Sequence, residues 1–182
     1  VVSRAFVLAG GASKRFGQDK ASYLVNGKPM VMWVVEAIRA AGLSVSLVVR
    51  DASLRGLGVP LIVEPESVGH YPLRGVLAGL EALKAGETAL FCPCDLPFLT
   101  EKSVQQMAGA VAPAVAFDGE RVHPLLALLG TGAVGALLEH ISNQGSATAF
   151  FEGAERVLLP TAELRNVNRV GALSSANLNS KK

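Results

Sequence analysis

The order of apolar and polar segments predicts an α/β fold: a three-layer α/β/α sandwich with a Rossmann-like, mostly parallel sheet and one antiparallel hairpin. Two observations carry the parallel part. Short apolar runs alternate with stretches of helical spacing, the pattern of βαβ units. The first of these runs is stopped abruptly by Gly10-Gly11, as a buried strand entering a ligand loop would be. The third observation breaks the alternation. Ala114–Phe117, then Asp118-Gly119, then Arg121–Leu129 reads as a hairpin about a tight turn.

Ala5–Ala9 is the first expected strand. Asn26-Gly27-Lys28-Pro29 is a turn, with Pro29 suited to the first position of a helix over 30–41 that Gly42 ends. Strands follow at 45–49 and 61–63. Leu73, Val76, Leu77, Leu80 and Leu83 recur at helical spacing between Pro72 and Gly86. Ala89–Cys92 is the next strand, and Thr100 can cap a helix reaching about Ala110. After the hairpin come a helix over 132–141, a strand over 157–159 and a last helix beginning after Asn168, with a frayed polar tail at 174–182.

The chain has 182 residues, half of them hydrophobic and 18% charged, which predicts one domain spanning 1–182 with a substantial core. A net charge of +2 argues against a nucleic-acid protein built on a broad basic face. Apolar stretches such as Met30–Val35 are far short of the ~20 residues of a membrane span, so no membrane role is expected. Arg4 and Ala5–Ala9 faintly resemble a secretory signal, but Gly10-Gly11 and the charges of Lys14, Arg15 and Asp19 interrupt it. Cys92 and Cys94, separated only by Pro93, suit neither a zinc ribbon nor a relaxed disulfide; two reduced thiols and a cytoplasmic location are expected.

In open parallel sheets ligands bind beyond the carboxyl ends of the strands. After the first strand comes Leu8-Ala9-Gly10-Gly11-Ala12-Ser13-Lys14-Arg15-Phe16-Gly17-Gln18-Asp19-Lys20. Its glycines let backbone N–H groups approach an anion, and Lys14, Arg15 and Lys20 supply charge. The spacing is neither the dinucleotide fingerprint nor a P-loop; by composition it fits a phosphate cradle or a solvated turn. Asp95, between Pro93 and Pro97 at the end of an apolar strand, is placed for a hard cation bridging phosphate oxygens, or is a turn residue. Strand alternation puts Arg121 and His123 on one face, either an anion-facing surface or an ordinary structural pair. Asn166 and Asn168 also alternate, and Asn168 can equally cap the last helix. His70 and His140 have no such company.

Taken in order, these segments resemble the molybdenum cofactor nucleotidyltransferases. The resemblance is carried by Leu8-Ala9-Gly10-Gly11 with Ser13, Arg15, Gly17, Asp19 and Lys20, by Asn26–Pro29, and by Tyr71-Pro72-Leu73 with Gly75-Val76-Leu77-Ala78-Gly79-Leu80. It continues through Pro93-Cys94-Asp95-Leu96-Pro97, Asp118–Arg121 with His123-Pro124, and Asn166-Val167-Asn168, from about Phe6 to Leu173. The loop alone is shared with many sugar-nucleotide and cytidylyl transferases; the ordered set is similar to the guanylyltransferase branch.

The resemblance implies the nucleotide-diphospho-sugar transferase-like fold and GMP transfer from GTP to the phosphate of molybdopterin, with pyrophosphate released. It implies nucleotide contacts at Leu8, Ala9, Gly10, Gly11, Lys20, Glu64 and Asp95, with Mg²⁺, or Mn²⁺, on Asp95. Arg15, Lys20 and Asp95 carry the catalysis in this reading, and Arg121, His123, Asn166 and Asn168 are candidates for the pterin side. Glu64 stands where the family usually has Asp, and Ser146-Ala147-Thr148 replaces family arginines. Transient contact with molybdoenzymes or their chaperones would follow from the product. The rival readings are a cytidylyl or sugar-phosphate transferase of the same fold, and a non-catalytic nucleotide or pterin carrier. GTP-dependent pyrophosphate release with molybdopterin separates them.

Overall fold

Side chains of the first strand, β1 (Arg4–Leu8), alternate between two layers. Ala5 and Val7 face one core with Val31, Val34 and Ile38, while Phe6 faces the other with Leu73, Val76 and Leu80. That two-sided burial is why β1 reads as a continuous apolar run. The computed structural model describes residues 2–10, 20–65 and 71–167.

A small hairpin follows, β2 (Leu24–Val25) and β3 (Lys28–Pro29), turned by Asn26 (φ 51°) and Gly27 (φ 76°). Two successive positive φ values are what an Asn-Gly hairpin turn requires. Pro29 belongs to β3 and immediately precedes α1 (Met30–Ala40), one place before the position expected of it. The first two N–H groups of α1 are satisfied from the preceding segment: Met30 N donates to Tyr23 O (2.8 Å) and Val31 N to Ala21 O (3.1 Å). The helix start thereby clamps the chain just after Lys20. Gly42, at φ 82°, ends the turn beyond α1 as expected.

Then come β4 (Ser44–Val49), a 3₁₀ turn over 55–57, β5 (Leu61–Val63), α2 (Leu73–Glu81), β6 (Thr88–Pro93) and α3 (Glu101–Ala108). Thr100 caps α3, its side chain accepting from Ser103 N. The antiparallel section is β7 (Ala114–Phe117) and β8 (Val122–Gly130), followed by a 3₁₀ turn over 131–133, α4 (Val134–Ser142), α5 (Ala147–Phe150) and β9 (Glu155–Leu158).

Among the described residues the main sheet has seven strands in the order β5-β4-β1-β6-β8-β7-β9. Only β8 runs against its neighbours, β6 and β7; the other adjacent pairs are parallel. The helices α1 and α3 pack together over one face and α2 with α4 over the other. The three-layer architecture is as the sequence predicts.

Three details differ. Phe117 pairs with Val122, so the turn is a four-residue connection and Arg121 precedes the strand. A two-residue Asp-Gly turn is displaced because the Asp118 carboxylate itself accepts from Glu120 N and Arg121 N, both at 2.9 Å. The helix expected from 132 begins at 134, because its first turn is 3₁₀. The four-residue α5 has no periodicity to betray it; Ser146 caps it by accepting from Ala149 N. The last helix expected after Asn168 lies outside the described residues.

Helix and sheet approach closely at Gly79. The rings of Phe6 and Phe91 stack with centroids 5.4 Å apart, and a Cβ on Gly79 would lie 2.6 Å from Phe91 Cε1 and 3.1 Å from Phe6 Cδ2. Gly135, in α4, has nothing within 4 Å of its would-be Cβ. Urea denaturation should therefore separate the two. Gly79→Ala is expected to destabilise the fold by about 1–3 kcal/mol despite alanine's better helix propensity. Gly135→Ala is expected to stabilise it by about 0.5–1 kcal/mol. Equal midpoints for the two variants would contradict this account of the packing.

Candidate functional site

β1 is flanked by β4 and β6, and the chain reaches them in opposite senses. From β1 it moves outward through β4 to β5, then returns by way of α2 to the far side of β1 as β6. The carboxyl ends of β1 and β6 therefore lie side by side, where Leu8 is paired with Pro93, and in open α/β sheets ligands bind beyond such strand ends. The segments singled out from sequence, 8–10 and 93–95, meet there.

Asp95 follows β6 directly and is 9% exposed. Its Oδ2 receives Lys20 Nζ at 2.6 Å and Asn166 Nδ2 at 3.2 Å. Its backbone oxygen accepts from Val167 N at 3.1 Å, so the strap 164–167 is tied to the loop twice. Its Oδ1 is buried and has no hydrogen-bond partner among the described residues. A buried carboxylate oxygen left without a donor is costly unless something else fills its coordination. No group of three or more His, Cys, Asp or Glu occurs among the described residues. Asp95 Oδ1 is thus the position that the described residues offer a cation. Mg²⁺ commonly binds this way, through one or two carboxylates plus phosphates, so the residues present fit that ion.

A second cluster lies on the β4–β5 side of β1. Glu64 follows β5, its N–H donating to Val49 O at 2.7 Å. A Cβ on Gly10 would collide with Glu64 Oε1, and one on Gly75 would lie 3.0 Å from the same atom. Burial holds the Glu64 carboxyl above the usual carboxylate range, while the nearby guanidinium groups of Arg50 and Arg74 pull it the other way. Arg74 Nε and Tyr71 Oη, both at the start of α2, are buried without hydrogen-bond partners among the described residues. Periodicity passed over Arg74. Its signal was there: a cation in the first turn of a helix opposes the helix dipole and calls for a nearby anion.

Leu8 and Ala9 are held by the sheet itself. Ala9 N donates to Val48 O (2.8 Å), and Leu8 O accepts from Cys94 N (3.3 Å). The Ala9 N–H is therefore committed to the sheet. Cys92 is buried, which pushes its thiol well above the ordinary range and leaves it unreactive.

Arg121 and His123 form a third group on the hairpin, at the same end of the sheet as Asp95, since β7 runs parallel to β6 through the intervening antiparallel β8. Both face Asp118: His123 Nε2 lies 2.8 Å and Arg121 Nε 3.4 Å from its Oδ2. The backbone N–H of Arg121, the His123 ring and the backbone N–H of Glu120 together hold the Asp118 carboxyl far below the usual range. His123 is thereby anchored, whereas the Arg121 side chain is 76% exposed. Of the expected site residues, Lys20, Asp95 and Asn166 are brought together, as are Gly10 and Glu64. Gly11, Arg15 and Asn168 lie outside the described residues. No helix among the described residues is long and apolar enough to cross a membrane.

Residues 5–158 match the model of the MobA-like NTP transferase domain. A molybdenum cofactor guanylyltransferase of Cereibacter sphaeroides is 41% identical over an alignment covering 67% of this chain and 66% of the relative. Another, from Yersinia pestis (strain Pestoides F), is 32% identical over 94% of this chain and 86% of the relative. Among solved structures, a protein of Aquifex aeolicus VF5 superposes with a TM-score of 0.78 at 26% identity, covering 92% of this chain and 94% of that one. With its strand order and these relatives in agreement, the chain belongs to the MobA-like NTP transferase family, among the molybdenum cofactor guanylyltransferases.

Proposed function

We propose that this protein transfers GMP from GTP to the terminal phosphate of molybdopterin. A phosphate oxygen of the pterin attacks the α-phosphorus, the bond from that phosphorus to the bridging oxygen breaks, and pyrophosphate leaves with the electron pair. The observation that carries the reading is the cluster of Lys20, Asp95 and Asn166 at the switch point, with one buried carboxylate oxygen left open.

A phosphate monoester is largely dianionic near neutral pH and needs no general base to attack. The chemistry therefore asks the protein to align two polyanions and offset their repulsion. Asp95 would hold Mg²⁺, or Mn²⁺ in its place, through its open Oδ1, and the ion would supply positive charge that offsets the repulsion between the phosphates. Lys20 carries an ammonium with three donors, so it can turn from Asp95 toward the phosphates while keeping one bond to the carboxylate. Arg15 adds positive charge from the loop, and Gly10 and Gly11 admit the nucleotide close to the backbone. Glu64, set against Gly10, is an acceptor for the nucleoside end. Arg121, exposed beside the anchored His123, supplies an anion-binding arm for the pterin phosphate.

Pyrophosphate release with molybdopterin should be supported by GTP and fall sharply with CTP or ATP. Equal turnover with CTP would move the chain to a cytidylyl transferase, and tight GTP binding without pyrophosphate release would make it a carrier. Asp95→Asn should lower kcat by roughly 10²-fold or more, the scale of losing one electrostatic stabiliser. It should also cost about 1–3 kcal/mol of stability, because Lys20 would face a neutral amide. Turnover measured well below the melting temperature separates the two effects, and near-normal kcat there would rule out the metal assignment. Arg121→Ala, outside the nucleotide clusters, is expected to weaken molybdopterin binding while GTP affinity, read by calorimetry, stays the same. An equal loss of both would place the hairpin against the nucleotide.

A further inference from the structure

We propose that Asn166 is a positioning residue for Asp95: it holds Oδ2 so that Oδ1 stays presented to the cation, instead of binding the pterin. The inference rests on the metal reading of Asp95 given above and extends it to the residue that orients the ligand.

The geometry argues for it from both partners. The strap that carries Asn166 is fixed at several points. Leu164 and Val167 are buried at 1% and 2% exposure, and Val167 packs with Val25 and Met30. The Arg165 guanidinium lies 5.4 Å from the centroid of the Phe98 ring. The Val167 N–H is bonded to the Asp95 backbone. Asn166 is itself on the surface, yet its amide is turned inward to the carboxylate at 3.2 Å. An amide N–H₂ can only donate there, so it constrains the rotation of the carboxylate without competing for its open oxygen.

Lys20 cannot do this work alone. Its charge is drawn equally to any phosphate that enters the site, and once it turns, its hold on Oδ2 loosens. The neutral amide gains little from the incoming charge and stays where the strap puts it. Partners of this kind, behind a ligating side chain, typically contribute 10–100-fold to metal affinity.

Three single-substitution variants test the assignment, with Mn²⁺ as the probe and its affinity for the GTP-loaded protein read by electron paramagnetic resonance. Asn166→Ala should weaken Mn²⁺ by about 10-fold, leave metal-free GTP binding unchanged in calorimetry, and leave the melting temperature near that of the parent. Its turnover should recover as metal is raised. Val167→Ala, which loosens the strap's core contact and keeps the amide, should lower the melting temperature and leave Mn²⁺ affinity nearly intact. Asp95→Asn should abolish the high-affinity Mn²⁺ signal. Loss of Mn²⁺ in Asp95→Asn with none in Asn166→Ala would overturn this inference and leave the metal reading standing. Unchanged Mn²⁺ affinity in Asp95→Asn would overturn both. Mn²⁺ loss in Val167→Ala equal to that in Asn166→Ala would reduce Asn166 to a structural strap residue.

Discussion

The return of the chain across β1 is the constraint on which the rest of the molecule depends. Had β6 been added beyond β5, β1 and β6 would not be neighbours, and Lys20 and Asp95 would sit on separate parts of the surface. Because α2 carries the chain back over the other face, the two strands end side by side. Gly79 is the local condition for that crossing: only a residue without a Cβ lets α2 settle onto the Phe6–Phe91 stack.

What the crossing creates is electrostatically unfinished. A nearly buried carboxylate with one ammonium on one oxygen is tolerable, since the pair neutralises itself and the amide of Asn166 adds a donor. Its other oxygen has no donor among the described residues, and a buried carboxylate oxygen in that state costs free energy that a further donor or a cation would recover. The same logic explains why α1 begins where it does. Its first N–H groups fix the carbonyls of Ala21 and Tyr23, so Lys20 is delivered to Asp95 by a rigid helix start.

The fold was largely legible because burial on both faces writes strands as apolar runs, and helical spacing marks what lies between them. Thr100 and Gly42 announced their ends through cap and left-handed geometry. What periodicity cannot encode is pairing order, so the position of β8 between β6 and β7 came only with the structure. The Asp118 turn was misjudged because its carboxylate competes for backbone N–H groups that a two-residue turn would leave outside. In the site, Asp95 and Lys20 could be read as types suited to phosphate and metal. The bond between Asn166 and Asp95 could not, since the two are 71 positions apart and a lone amide has no pattern. Arg74 was hidden inside an apolar helix repeat that explained its neighbours and not itself.

Glu64 shows how a long carboxylate is accommodated by backbone already present. It must fit beside the strand ends without pushing into them. It does so by lying against two glycines from different motifs, Gly10 after β1 and Gly75 in α2. Either alone would leave a Cβ in its path. Arg50 and Arg74 then offset part of the cost of burying its charge, which burial otherwise opposes. The glycine after β1 and the glycine of the crossing helix thus serve one side chain, and a change at Glu64 would be felt at both.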